Sequence, residues 1–265
     1  VVISGLLGAG DIKQAQDAAH ASVALYALMA AVMTVLGLLF VPQILRLVQT
    51  PAAAMPEAKR YLYTVFAGTV FTFGYNLIGA LQRGLGNAAA SMSFVIISSA
   101  ANIALAAVFI VWLGMGAFGA ALGTVLSQVA AFVIGTVQFA RGGAALRLSA
   151  RAVRFYKKHL KNILLFGVPT ALNEVMVNLA MLTVSGVANS FGLASSAAYG
   201  VGSRINSLAI FTDGAMNQTM SAYASQNIGA GRQKRALEGL WKAIILSAGA
   251  ALGTSLLVLG FASEF

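Results

Sequence analysis

Long apolar runs broken by short polar punctuation set the pattern of this chain. Runs of about twenty apolar residues, enough to cross a bilayer as a helix, fall at 18–41, 61–82, 91–113, 117–140, 163–188, 195–223 and 240–262. None alternates strictly as a barrel strand would, and lipid offers no partner to backbone polar groups, so each run is predicted to be a helix. The sixth run is the most polar. The breaks at Gly114-Met115-Gly116 and at 189–194 are too short to hold a domain. The pattern predicts an all-α, polytopic membrane protein with about seven transmembrane helices.

The polar punctuation repeats. SGLLGAGDIKQAQDAA begins at Ser4 and SQNIGAGRQKRALEGL at Ser225, 221 residues later. Without a gap, 4–40 matches 225–261 at 12 of 37 positions, including Lys13/Lys234, Ala15/Ala236 and Phe40/Phe261. A long internal period marks a duplicated architecture. Six runs lie between the two Gly-Ala-Gly motifs, so both motifs sit on one face and the two units share an orientation. Parallel repeats of this kind are a transporter plan; two full units need about twelve helices, six in each. The expected division is 1–140 as the latter part of an N-terminal bundle, 141–162 as a basic linker, and 163–265 as the first part of a C-terminal bundle. Val1 in place of methionine adds the expectation that helices of the same transporter are missing from this chain.

Composition narrows the class. Hydrophobic residues make up 59% of the 265 and charged residues 9%, with mean hydropathy +0.84; a soluble domain carries about a quarter charged residues. With no cysteine, neither a disulfide nor a thiolate metal site is available. The net charge of +10 suggests a nucleic-acid partner until its distribution is read. Lys13, Arg83, seven cations from Arg141 to Lys161, and Arg232, Lys234, Arg235 and Lys242 fall on one side of the spans. Arg46, Lys59 and Arg60 fall on the other, a ratio of 13 to 3. That asymmetry describes topology, with the basic linker cytoplasmic, and excludes nucleic acid as the reason for the charge. The linker's Leu148, Val153, Phe155 and Leu160 suit an amphipathic surface helix on anionic lipid, against the competing reading of a solvated linker that enforces the charge asymmetry. His20 and His159, at run edges beside charges, read as solvated boundary residues. The Gly-Ala-Gly segments lack the length, Lys and Ser/Thr of a phosphate loop and read as turns ending helices.

Ionisable side chains inside spans are the informative ones. Glu174, Arg204 and Asp213 each cost roughly 2.5–3.5 kcal/mol at a helix centre, so each is expected to face protein or a wet cavity. Glu174 and Asn178 are four apart, with Ser185 further along the same stripe. Asn206, Asp213, Asn217 and Ser221 lie within about 80° on one helix face. Arg204 falls on another face, at a depth that allows pairing with Glu174. Glu174 or Asp213 is the candidate for exchanging a proton or sodium ion. The competing reading makes Glu174, Arg204 and the Asn residues a hydrogen-bonded network between helices. No catalytic residue, cofactor or resident metal is expected. Met176, Met181, Phe191, Tyr199, Phe211 and Met216 offer adaptable apolar surface for varied ligands, and ordinary helix packing accounts for them equally well.

Arg83-Gly84-Leu85-Gly86, Asn102-Ile103, and Gly116-x-x-Gly119-Ala120-Ala121 with Thr124 together resemble the multidrug and toxic compound extrusion (MATE) exporters. Gly167-Val168-Pro169 and 198–235 extend the likeness over nearly the whole chain. The resemblance implies twelve helices in two bundles and no enzymatic activity. It also implies secondary-active antiport of cationic or amphipathic drugs and toxic compounds against protons or sodium ions, by alternating access in the bacterial inner membrane. Asn87, Ser91 and Ala106 depart from the family pattern, which often has Asp, Pro and Asp there; loss of the last weakens coupling through the first bundle. The alternatives are a lipid-linked oligosaccharide flippase of related architecture, which needs more buried cations than Arg204, and an inert or scaffold fragment.

Overall fold

The computed structural model describes residues 1–142, 146–149 and 152–260, with the side chains of all but 193–194, 196–197, 201, 204–206, 208–213 and 257–259. Seven long helices answer the seven apolar runs, and a short helix precedes them. They are α1 (Val2–Gly8), α2 (Ile12–Leu47), α3 (Met55–Gly84), α4 (Ala88–Ala107), α5 (Gly116–Arg141), α6 (Lys157–Ser190), α7 (Leu193–Gly229) and α8 (Gln233–Gly260). A π-helical turn, Val108–Trp112, prolongs α4. Among the described residues six helices are long and apolar enough to cross a membrane. The 37-residue α7 is the polar exception, as its run predicts.

The chain forms two compact units, one of Asp11–Leu160 and one of Val1–Gly10 with Lys161–Phe265. In the first, α5 packs against α3 and α4. Small residues allow the approach: a Cβ on Gly68 would lie 2.4 Å from Val125, and one on Gly123 lies 3.1 Å from the backbone of Ala106. Ala121 is fully buried. Where apolar area gains nothing against lipid, such close packing and hydrogen bonds hold helices together. Thr72 Oγ1 donates to Gln128 Oε1 at 2.5 Å, Asn102 Nδ2 to Thr124 Oγ1 at 3.2 Å, Gln138 Nε2 to Ser93 Oγ at 3.1 Å, and Gln82 Nε2 to the carbonyl of Gly135 at 3.3 Å. Gly116 plays a different part from Gly119 and Gly123, because it turns the chain at φ +53 with nothing near it.

One turn recurs at three glycines. Ala9, Leu85 and Ala230 each end a helix near φ −75 and ψ 0, and the next residues, Gly10, Gly86 and Gly231, take φ +77, +85 and +71. Only glycine takes that conformation without a steric cost. The Gly-Ala-Gly segments are therefore helix-ending turns. After two of them the next side chain caps the new helix: Asp11 accepts from the Gln14 N–H at 2.9 Å and Asn87 from the Ala90 N–H at 3.1 Å.

Among the described residues the linker forms no surface helix and is not freely solvated along its length. Residues 146–149 and 153–156 are not helical, and α6 begins already at Lys157, so no surface helix forms among the described residues. Gln16 on α2 grips the backbone of Arg147, accepting from its N–H at 2.7 Å while its own amide donates to the Arg147 carbonyl. One turn on, His20 Nε2 accepts from the Ser149 N–H at 3.3 Å. His20 and His159 are 4% and 6% exposed, and Leu146 is 2%. The reading of both histidines as solvated is corrected: the linker folds down onto α2 and covers His20, and His159 lies in the first turn of α6, its ring 6.3 Å from Tyr156.

Candidate functional site

The chemistry-bearing residues of the second unit lie on α6 and α7. Pro169 stands inside α6, and an apolar stretch whose one charged residue is Glu174 carries the helix on to Ser190. On this stretch Glu174 is exposed, as are its neighbours Leu172, Val175 and Met176. Asn178 turns back to donate to the Glu174 carbonyl at 2.7 Å, which fixes Asn178 on the face of the acid without engaging the carboxylate. This i, i+4 relation is the polar stripe that the spacing predicts. Of the aromatic and sulfur side chains, Met176 and Phe191 are 70% and 76% exposed, and Tyr199 Oη donates to the Met181 carbonyl at 3.4 Å, tying α7 to α6.

On α7 the predicted stripe is described only in its later half. Asn217 and Ser221, four residues apart, meet at 3.5 Å through Oδ1 and Oγ. Both line a groove of about 420 Å³ between α7 and α8, with Met216, Met220, Leu240 and Ser247. Its walls combine flexible thioethers with three small polar groups, a surface able to take amphipathic molecules of varied shape. The groove thus unites Asn217, Ser221 and Met216 and leaves Glu174 and Asn178 elsewhere on the unit. The side chains of Arg204, Asn206, Phe211 and Asp213 lie outside the described residues, and so does the expected Arg204–Glu174 pair. Among the described residues no three acidic or histidine side chains gather as a metal site.

Sequence reasoning missed Gln82, Gln128 and Gln138, whose amides bridge helices in the first unit. A signal existed: Thr124, Gln128 and Gln138 fall within about 80° on α5, on the same face as the small residues Ala131 and Gly135. They are satisfied chiefly by neighbouring helices, which marks them as packing groups.

Residues 1–108 and 169–265 match the family model MatE. "Probable multidrug resistance protein YpnP" of Bacillus subtilis (strain 168) is 30% identical over 234 residues, covering 88% of this chain and 52% of the relative. "Multidrug export protein MepA" of Staphylococcus haemolyticus (strain JCSC1435) is 26% identical over 203 residues, covering 77% and 45%. The fold matches a structure described as the "outward-facing conformation of a multidrug resistance MATE family transporter of the MOP superfamily". The TM-score is 0.89 at 25% identity, covering 99% of this chain and 58% of that one. A MOP superfamily transporter from Pyrococcus furiosus, whose description speaks of a binding pocket of reverse polarity, matches with a TM-score of 0.82 at 26% identity, covering 98% and 57%. The chain spans about half the length of the curated relatives it matches. Its helices and the extent of the match make it a multi-pass membrane protein that belongs to the MatE family.

Proposed function

We propose that this chain works within an ion-coupled exporter of cationic or amphipathic small molecules in a bacterial inner membrane, its basic linker in the cytoplasm. Glu174 carries the reading. It is the one charged residue on the apolar stretch of α6 beyond Pro169, where its cost in lipid favours a role for its charge. Protons or sodium ions exchange at Glu174 or Asp213, and the Met- and Ser-lined groove beside Asn217 accepts part of the cargo. Family membership supports export; the 13-to-3 distribution of cations supports the orientation.

The test is dye efflux from vesicles bearing the open reading frame that contains this chain, energised in turn by a proton and a sodium gradient. Glu174→Gln or Asp213→Asn abolishes coupled efflux while the protein still reaches the membrane. Normal efflux in both variants, under either gradient, removes ion coupling at these residues.

A further inference from the structure

A bias of Lys and Arg toward one face sets orientation by count alone and asks for no fixed structure. The linker nonetheless has one. Gln16 accepts from the Arg147 N–H at 2.7 Å and donates to the Arg147 carbonyl, and His20 accepts from the Ser149 N–H at 3.3 Å. Further on, Lys158 Nζ donates to Gln14 Oε1 at 3.0 Å. All three anchors, Gln14, Gln16 and His20, lie on the opening turns of α2, within the compact unit Asp11–Leu160. The apolar run of α2 begins at 18, so the backbone at Ser149 is held level with the start of that run. The edge of a spanning run lies in the headgroup layer. Buried Leu146 secures the segment on the other side of Arg147. The linker is therefore fixed at headgroup depth.

Arg147, Arg154 and Lys157 are exposed along this segment. Among the described residues the one ion pair, Arg60–Glu57, is elsewhere, so no carboxylate neutralises them. α6 opens with Lys157 and Lys158 and has no acid in its first turn, and the positive end of its dipole adds to the charge. We propose that the clasped linker is a binding site for the headgroup phosphate of an anionic phospholipid, with Arg147, Arg154 and Lys157 as its cations. Depth selects the occupant: α2 and α6 enter the bilayer from this place, where lipid phosphates lie. Arginine suits it, since a guanidinium meets two phosphate oxygens at once. Each cation near an anionic membrane surface is worth about a fivefold gain in binding. The clasp contributes by holding the backbone of Arg147 in place, although the Gln16 amide is itself neutral. The site stands whether or not the chain transports.

The probe is phosphatidylglycerol, with phosphatidylcholine as its uncharged counterpart. Each is titrated onto the purified product of the open reading frame that contains this chain, and retention is read by native mass spectrometry. The tightest phosphatidylglycerol step should exceed that of phosphatidylcholine at least fivefold. Arg147→Gln with Arg154→Gln should weaken that step at least tenfold, and Arg147→Lys with Arg154→Lys should recover most of it. Lys59→Gln with Arg60→Gln, at the other ends of the spans, should change nothing. Gln16→Leu removes no charge and should still weaken the step several-fold. Inorganic phosphate should not displace the lipid. Equal retention of the two lipids, or a phosphatidylglycerol step untouched by the two Arg→Gln changes, overturns the site. Full displacement by inorganic phosphate overturns the lipid as occupant and leaves a free-anion site. A step unaltered by Gln16→Leu overturns the built site and leaves charge alone.

Discussion

At the scale of single residues, helix ends show how closely physical chemistry follows the sequence. Asn87 and Asp11 occupy equivalent cap positions after a glycine turn, and each accepts from the backbone N–H three residues on. Asn87→Ala should lower stability in detergent by about 1 kcal/mol, while Asn87→Asp should hold it, as read by thermal melting. The two caps differ with pH. The Gln14 backbone N–H holds the Asp11 carboxyl below its ordinary value, helped by the Gln14 side chain and by Lys158. A carboxyl whose folded value is depressed stabilises fully above its unfolded value of about 3.9 and loses that contribution as pH falls through the lower folded value. The melting temperature of the parent should therefore fall more steeply than that of Asp11→Asn as pH is lowered from 5 toward 2.5. Parallel curves would show that the charge on Asp11 contributes nothing.

Among elements, the linker is the place where side chains override segment character. Its cations suggest a free solvated strand, yet the Gln16 amide imitates a backbone partner for Arg147 and His20 holds Ser149. The His20 ring is buried, so its bond to Ser149 gives a partner to a nitrogen shielded from water, whereas the Gln16 clasp on Arg147 is exposed. Gln16→Leu should release this segment, and trypsin should then cut after Arg147 several-fold faster than in the parent. Cleavage at equal rates would mean that the burial of Leu146 alone retains the linker. The same element-level physics explains α5. Its polar and small residues were visible as a stripe, but a stripe alone does not say which helix faces it.

For the whole molecule, orientation is the quantity to measure. Phe155, in the linker and 53% exposed, is a suitable reporter. A Phe155→Cys variant should react with a membrane-impermeant maleimide in inside-out vesicles and stay unlabelled in right-side-out ones. The reverse pattern would invert the topology. Labelling on the expected side would place both Gly-Ala-Gly turns at the cytoplasmic face, because an even number of apolar runs separates them.

Length and hydropathy by themselves determined that seven long helices form, where they break, and which is the most polar, because a chain in lipid has no other way to satisfy its backbone. The 221-residue period gave the turns their identity, since glycine at φ near +75 is a local requirement that both copies meet. The same reading found Glu174 and Asn178 as one stripe, for 3.6 residues per turn is a property of the helix alone. Only the tertiary structure decided that Gly8 faces Gln226 and Gly229 faces Gly5, because contacts across 221 residues depend on how helices cross. It also decided that His20 is buried and Gln16 is a clasp, because the partner in each case is a linker backbone that no side-chain pattern records. The groove beside Asn217 belongs to this second kind, as its other wall is α8, a helix whose own sequence shows only apolar and small residues at that face.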